Sequence, residues 1–327
     1  RETLTGGQGV TADRLAALKA DSISIPELEF EQTVGGTRQT VVYRDVILLN
    51  IAGGRIAQAT ASGGTVSGAV DGDSISGEFG PSTFAGIDVA GMARLFATGQ
   101  TSDGKPVVAY ESARFADYTL KMKKADIAIR GMSGGPVKMK PTGEPLSAMF
   151  ALFANVPAKP QPSEAFAIFG AASKLVRALS IGATSVDEMT MQIKEGADPV
   201  TFTIAGMQMR DFEDAVVGST VIQSVTAGND AGFAMRLGPI EMRGYDIRPT
   251  LETLASIAAD PSSLDSFNPM RMLSRIDHFS LRNFDVTSAA KDAPANAAPL
   301  KVTIDNISAD RDLKADSLRW RLAACEA

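Results

Sequence analysis

The strongest constraint on this chain is that its two halves repeat. Phe79-Gly80-Pro81, Gly86 and Asp88 reappear as Leu237-Gly238-Pro239, Gly244 and Asp246, so that 80 answers to 238, 86 to 244 and 88 to 246, a separation of 158 each time. Arg114, Tyr118, Leu120 and Lys121 match Arg275, Phe279, Leu281 and Arg282 at a separation of 161. Leu18, Leu28 and Phe30 match Leu179, Met189 and Met191 at the same spacing. An offset this steady predicts two copies of one domain-sized unit. The copies are expected over residues 1–156 and 163–327, with a proline-rich joint at 157–162 formed by Pro157, Pro160 and Pro162.

Inside each copy, short alternating runs between tight turns predict an antiparallel meander. Ser24–Glu31, Gln39–Ile51, Arg55–Val70 and Ser74–Phe79 read as its first four strands, turning at Gly35-Gly36, Gly53-Gly54 and Asp71-Gly72-Asp73. Ala113–Arg130 reads as a later strand, bent or turned near Lys123-Lys124. Helical spacing predicts helices over Thr11–Ala20, Val89–Ala97, Leu146–Val156 and Ser163–Ile181, with Leu313–Ala324 closing the second copy. In Ser163–Ile181 the charges Glu164, Lys174 and Arg177 share one arc, and the wide remainder is apolar or small and needs covering. The expected fold class is therefore α+β: two tandem copies of an antiparallel β-meander packed on helices, a curved sheet wrapping a helix. At the level of fold, this pattern is similar to the tubular lipid-binding (TULIP) proteins, whose curved sheets wrap a helix and whose units join end to end. It is also similar to half-barrel lipoprotein carriers.

Composition removes several functions. A net charge of −6 with scattered Lys and Arg leaves no electrostatic footprint for nucleic acid. A single histidine, His278, and a single cysteine, Cys325, give no zinc-ligand set and no internal disulfide. No metal site and no cofactor are expected. No run of apolar residues is long enough for a transmembrane helix. The chain begins at Arg1, which reads as a processed chain and sets the expectation of a periplasmic or extracellular protein.

No catalytic constellation emerges. Gly131-Met132-Ser133-Gly134-Gly135-Pro136-Val137 resembles the segment around the nucleophile of trypsin-like serine proteases. That family places its histidine and aspartate earlier in the chain, and here no histidine precedes Ser133. A glycine-rich turn accounts for the motif. Ser133 with Lys123, Lys124 or Lys138 is the one serine–lysine combination available, and no spacing supports it. Asp71-Gly72-Asp73 lacks the calcium-loop pattern, since Ile75 and Ser76 stand where a ligand and the glycine belong. Asp187/Glu188 and Glu213/Asp214 read as surface carboxylates, and His278 as a polar strand residue. The expectation is a protein without enzymatic activity.

One pattern points to a ligand. Met189 and Met191, Met207 and Met209, and Met235 recur at strand spacing, and methionine suits an adaptable apolar surface. With Phe166, Phe169, Leu175, Val176 and Leu179 from the apolar helix, they form the expected lining for an apolar ligand. The resulting expectation is an extracytoplasmic binding protein for an apolar ligand, a lipid above all. The alternative is a structural or interaction protein of the bacterial cell envelope that docks a protein partner and holds no small molecule.

Overall fold

The computed structural model describes residues 11–34, 37–70, 73–154, 156, 161–195, 198–259, 274–288, 299–312 and 317–326. The first half runs α1 (Ala12–Ala17), β1 (Ala20–Val34), β2 (Thr37–Ala52), β3 (Arg55–Ala61), β4 (Gly63–Val70), β5 (Asp73–Phe79), β6 (Ser82–Asp88), α2 (Val89–Thr98), β7 (Val107–Tyr110), β8 (Ser112–Met122), β9 (Ala125–Met139) and α3 (Leu146–Ala154). The second runs α4 (Pro162–Ala178), β10 (Leu179–Ile193), β11 (Val200–Glu213), β12 (Val216–Gly228), β13 (Ala234–Leu237), β14 (Ile240–Asp246), α5 (Arg248–Ala259), β15 (His278–Ser288), β16 (Leu300–Asp312) and β17 (Ser317–Glu326). All the strands among the described residues join one antiparallel sheet of 17 strands. The sheet crosses the proline-rich joint without a break, because β9 and β10 pair all the way from Met139↔Leu179 to Ala125↔Ile193.

Most sequence-derived elements appear in place, so the mostly antiparallel α+β class holds. Three differ. Leu313–Ala324 does not close the chain as a helix: Ser317–Glu326 is β17, laddered to β16. Leu318, Trp320 and Leu322 alternate at the period of a strand, and the alternation prevails over helix propensity. Arg55–Val70 is two strands, interrupted at Ser62. β8 begins at Ser112 and β15 at His278, 166 residues apart where 161 was expected, so Arg275 lies outside β15 and makes only an isolated bridge to Asp246. The turns at Gly35-Gly36 and Asp71-Gly72 and the joint at 157–160 lie outside the described residues.

Among the described residues, all five helices attach at the same end of the strands. α1 precedes the start of β1, which pairs with the end of β2 (Ala20↔Ile51), and Ile56 at the start of β3 pairs with Ile87 at the end of β6, just before α2. α3 follows the end of β9 and α4 precedes the start of β10, which pair as Met139↔Leu179. α5 follows β14, whose end pairs with Val216 at the start of β12. The helices pack in a row, each on the next, and their contacts with strands concentrate on β3, β7 and β10. The core lies in this row: Leu95, Val107, Leu146, Met149 and Ala171 are buried together, with Met92, Met139, Phe153 and Leu175 against them. Local chemistry fixes the helix ends. Asp88 Oδ1 accepts from the Gly91 amide at 2.7 Å, and Gly99 closes α2 in the left-handed region, donating to Leu95 O at 2.8 Å.

A second line of features crosses the sheet. Pro26, Asp45, Ser62, Pro81, Ala116, Gly131, Asp187, Gly206, Gln223, Pro239, Arg282 and Asn306 occupy one level of successive strands, as the registers on either side require. Several disturb the ladder. Asp45, Gly131 and Gly206 have φ of 50°, 53° and 63°, and Asn283, beside Arg282, has 53°. Pro26, Pro81 and Pro239 bring no amide hydrogen. Positive-φ residues inside strands turn the local backbone, so β2, β9, β11 and β15 are turned at or beside the same level. We call this line the crease. At Gly131 the left-handed conformation and a covering neighbour coincide, since a Cβ there would stand 2.0 Å from the Asp187 carboxylate.

Candidate apolar binding surface

Residues two apart on a strand share a face, and the registers line those faces up. On the side of the crease away from the helices, one row runs Leu28, Tyr43, Gly64, Phe79, Tyr118, Ile129, Met189, Ile204, Val225, Leu237. The row beside it runs Phe30, Val41, Val66, Gly77, Leu120, Ile127, Met191, Phe202, Ala227, Met235, Val286, Val302. Phe284 and Ile304 pair at the level of the first row in β15 and β16. These two rows form an apolar stripe across twelve strands, from β1 to β16, without one charged residue. The row between them, on the opposite face, reads Glu29, Val42, Thr65, Glu78, Thr119, Ala128, Thr190, Thr203, Thr226, Arg236, Asp285, Thr303. The sheet is thus sharply two-faced along its whole length.

Side chains confirm the shared face. The Phe30 and Tyr43 rings meet edge-on at 6.0 Å, and Tyr43 and Phe79 at 4.9 Å. The two glycines in the stripe are overlaid by neighbours: a Cβ on Gly64 would stand 2.4 Å from the Phe79 ring, and one on Gly77 would stand 2.9 Å from a Val66 methyl. Apart from Gly64, Gly77 and Ala227, the stripe residues are only half-buried or, for Phe30, exposed. None of them belongs to the buried helix core.

Between the crease and the helices lies a second apolar band, built from Met132, Val186, Met207, Ile222, Ile240, Leu281 and Ile307 in one row. Phe84 and Phe115 extend it into the first half, with ring centroids 5.2 Å apart. The crease therefore divides the expected ligand lining. Met189, Met191 and Met235 lie in the stripe, whereas Met207 and Met209 lie in the helix-side band. The helical candidates go elsewhere. Leu175 packs into the helix core, Leu179 starts β10 opposite Met139, Phe166 and Val176 are half-buried on α4, and Phe169 is 46 % exposed. Sequence reading missed the first-half members, Tyr43, Phe79, Tyr118 and Leu120, whose alternation was equally visible but lacked methionine to draw attention.

The other candidates form no catalytic set. Ser133 Oγ lies 2.9 Å from Ser185 Oγ. His278 pairs with Asp310 through Nδ1 at 2.7 Å and sits on β15, five strand spacings or about 24 Å from β9. Lys123 pairs with Asp73, and Lys124 with Glu195, which raises the Lys124 pKa, the reverse of what a general base requires. Glu188, Glu213 and Asp214 are ion-paired with Arg130, Lys140 and Arg177. Ser133→Ala is expected to leave the fold intact and lower stability by about 1 kcal/mol, the net worth of one hydrogen bond, checked by thermal melting. Two shallow depressions on the described surface are polar, lined by Ser133, Thr184, Ser185, Gln208, Arg210 and their neighbours, and contain no stripe residue. Among the described residues no three His, Cys, Asp or Glu side chains gather to hold a metal ion, and no helix is long and apolar enough to cross a membrane. No family model, curated protein or solved structure matches this chain.

Proposed function

We propose that this chain is a non-enzymatic binding protein for an apolar ligand, a lipid with acyl chains, working in an extracytoplasmic space. The observation that carries the reading is the uncharged apolar stripe, open along its length and backed by a threonine-rich face. An apolar surface left half-exposed over twelve strands costs the free protein hydration free energy, at about 25 cal/mol per Å². Covering it with hydrocarbon recovers that energy. The largest contiguous apolar patch on a soluble chain is often its binding site.

The same proposal includes two tandem copies of one curved unit, in the manner of the tubular lipid-binding fold. Support comes from matched local geometry. Gly86 on β6, with φ of 64°, lies under Glu111, and Gly244 on β14, with φ of 61°, lies under Asp277. The Glu111 amide donates to Ala85 O at 2.8 Å, and the Asp277 amide to Arg243 O at 3.1 Å. Asp88 and Asp246 each accept an amide hydrogen at the entry to a helix.

Gentle purification of the full chain followed by native mass spectrometry tests the ligand. Co-purified lipid is expected, together with uptake of a fluorescent fatty acid by delipidated protein. Absence of both would remove the reading. Fractionation of cells producing the full-length protein tests the compartment. A second reading, docking of an envelope protein partner, draws on the helix row, where Phe96 and Phe150 stack at 6.0 Å while 48 % and 44 % exposed. Capture of a defined partner that is lost on Phe96→Ser with Phe150→Ser, in lipid-free protein, would favour it.

A further inference from the structure

We propose that the stripe is a track holding several acyl chains in file, laid across the strands from β1 towards β16, and not a pocket for one ligand. The inference rests on the lipid-binding reading above and specifies how the lipid lies. Two rows of side chains on alternate residues are about 7 Å wide, the breadth of a single hydrocarbon chain, and Ile75, Met122, Ala125, Ile193 and Val200 add a third row on the same face over β5 and β8 to β11. Twelve strands at about 4.8 Å spacing make the stripe roughly 50 Å long. A bilayer's hydrocarbon core is about 30 Å thick and spans two acyl chains, so each chain covers about 15 Å. The stripe therefore has room for about three chains end to end. Nothing along it marks a stopping point: the centre, Ile129 beside Met189 and Ile204, is as uncharged as either end.

A protein occupant fits less well. Seven by fifty ångströms, with the third row over five strands, is roughly 500 Å², short of the roughly 800 Å² that each partner buries in a stable interface. β-Strand addition needs a free sheet edge, and every strand beneath the stripe except β1 is paired on both sides. The remaining edge strand, β1, carries Pro26, Glu27, Glu29 and Glu31, which discourage such pairing. Hydrocarbon has no hydrogen bonds to satisfy and fits a narrow, unbranched, uncharged line.

Photocrosslinking tests the track. Benzoylphenylalanine replaces Phe30, Met189 or Val302, one at a time, in the full chain, with Thr190 on the opposite face as control. Each variant is checked for native strand content and loaded with tritiated palmitoyl-oleoyl phosphatidylethanolamine from detergent micelles. Capture of lipid at all three stripe positions, with at least fivefold less at Thr190, and two or more lipids per chain by native mass spectrometry, is the expected result. Capture at one position only, with a single lipid per chain, overturns the track while leaving lipid binding in place. No capture anywhere and no bound lipid overturns both. Equal capture at Thr190 overturns the track by removing its preference for the apolar face.

Discussion

Met189→Arg combined with Met191→Arg is expected to weaken uptake of a fluorescent fatty acid by a hundredfold or more while leaving the strand signal in circular dichroism unchanged. The two side chains lie at the middle of the stripe, where Met189 pairs with Ile129 and Ile204, and Met191 with Ile127 and Phe202. They are half-buried and outside the helix core, so the free protein can turn two guanidinium groups into water at modest cost. Bound hydrocarbon removes that escape. It either desolvates the charges, at several kcal/mol each, or leaves the site, and each 1.4 kcal/mol is a tenfold loss of affinity. Thr190→Arg, between them on the opposite face, is the matched control and should bind as the unaltered protein does. Equal binding by all three proteins would place the ligand elsewhere. Loss of strand content in the double variant alone would make these methionines structural.

The alternation that defines the stripe was legible in single strands, and the stripe itself was not. Phe202 and Ile204, or Met189 and Met191, announce an apolar face by their spacing alone. Whether twelve such faces line up depends on register, and a slip of one residue moves every side chain to the other face. Turn geometry and the pairing of distant strands set that register, and neither is written in a local pattern. The crease did leave a trace. In β11 the apolar phase runs Phe202, Ile204 and then Met207, Met209, shifting by one residue across Gly206. In β9 it runs Ile127, Ile129 and then Met132, shifting across Gly131. Reading all the methionines as one lining passed over that shift and joined residues that the crease separates.

The helices show the opposite balance. Their positions followed from helical spacing and from the prolines near 157–162, while the caps at Asp88 and Gly99 came to light only in the structure. The wide apolar face of α4 promised burial, but sequence alone could not choose between a sheet and other helices as its cover. α4 packs chiefly on α5 and α3, so its apolar arc is used in forming the row. A strand of methionines and a helix of phenylalanines looked like two walls of one cavity. They belong to two different surfaces, one built for internal packing and one left open.

Leu95→Ala should therefore damage the helix row without reaching the stripe directly, and it is expected to cost about 2–5 kcal/mol, the range for emptying a fully buried leucine site. Leu95 is 0 % exposed and sits at the junction of Val107, Leu146, Met149 and Ala171, so three helices and a strand would line the space left behind. Relaxation into that space is restricted on one side, since Gly99, one turn on, is held against the Glu144 backbone, with a Cβ position only 2.1 Å from the Glu144 carbonyl oxygen. Urea unfolding followed at 222 nm measures the loss, and fatty-acid uptake below the transition measures whether binding survives. A large loss of stability with binding retained would establish that the row is a scaffold and that the sheet alone provides the ligand surface. A cost below about 1 kcal/mol would mean that the row is not the core on which the fold depends. Binding lost in step with mild destabilisation would tie the helices to the ligand after all, and would return Phe166, Phe169 and Val176 to the lining.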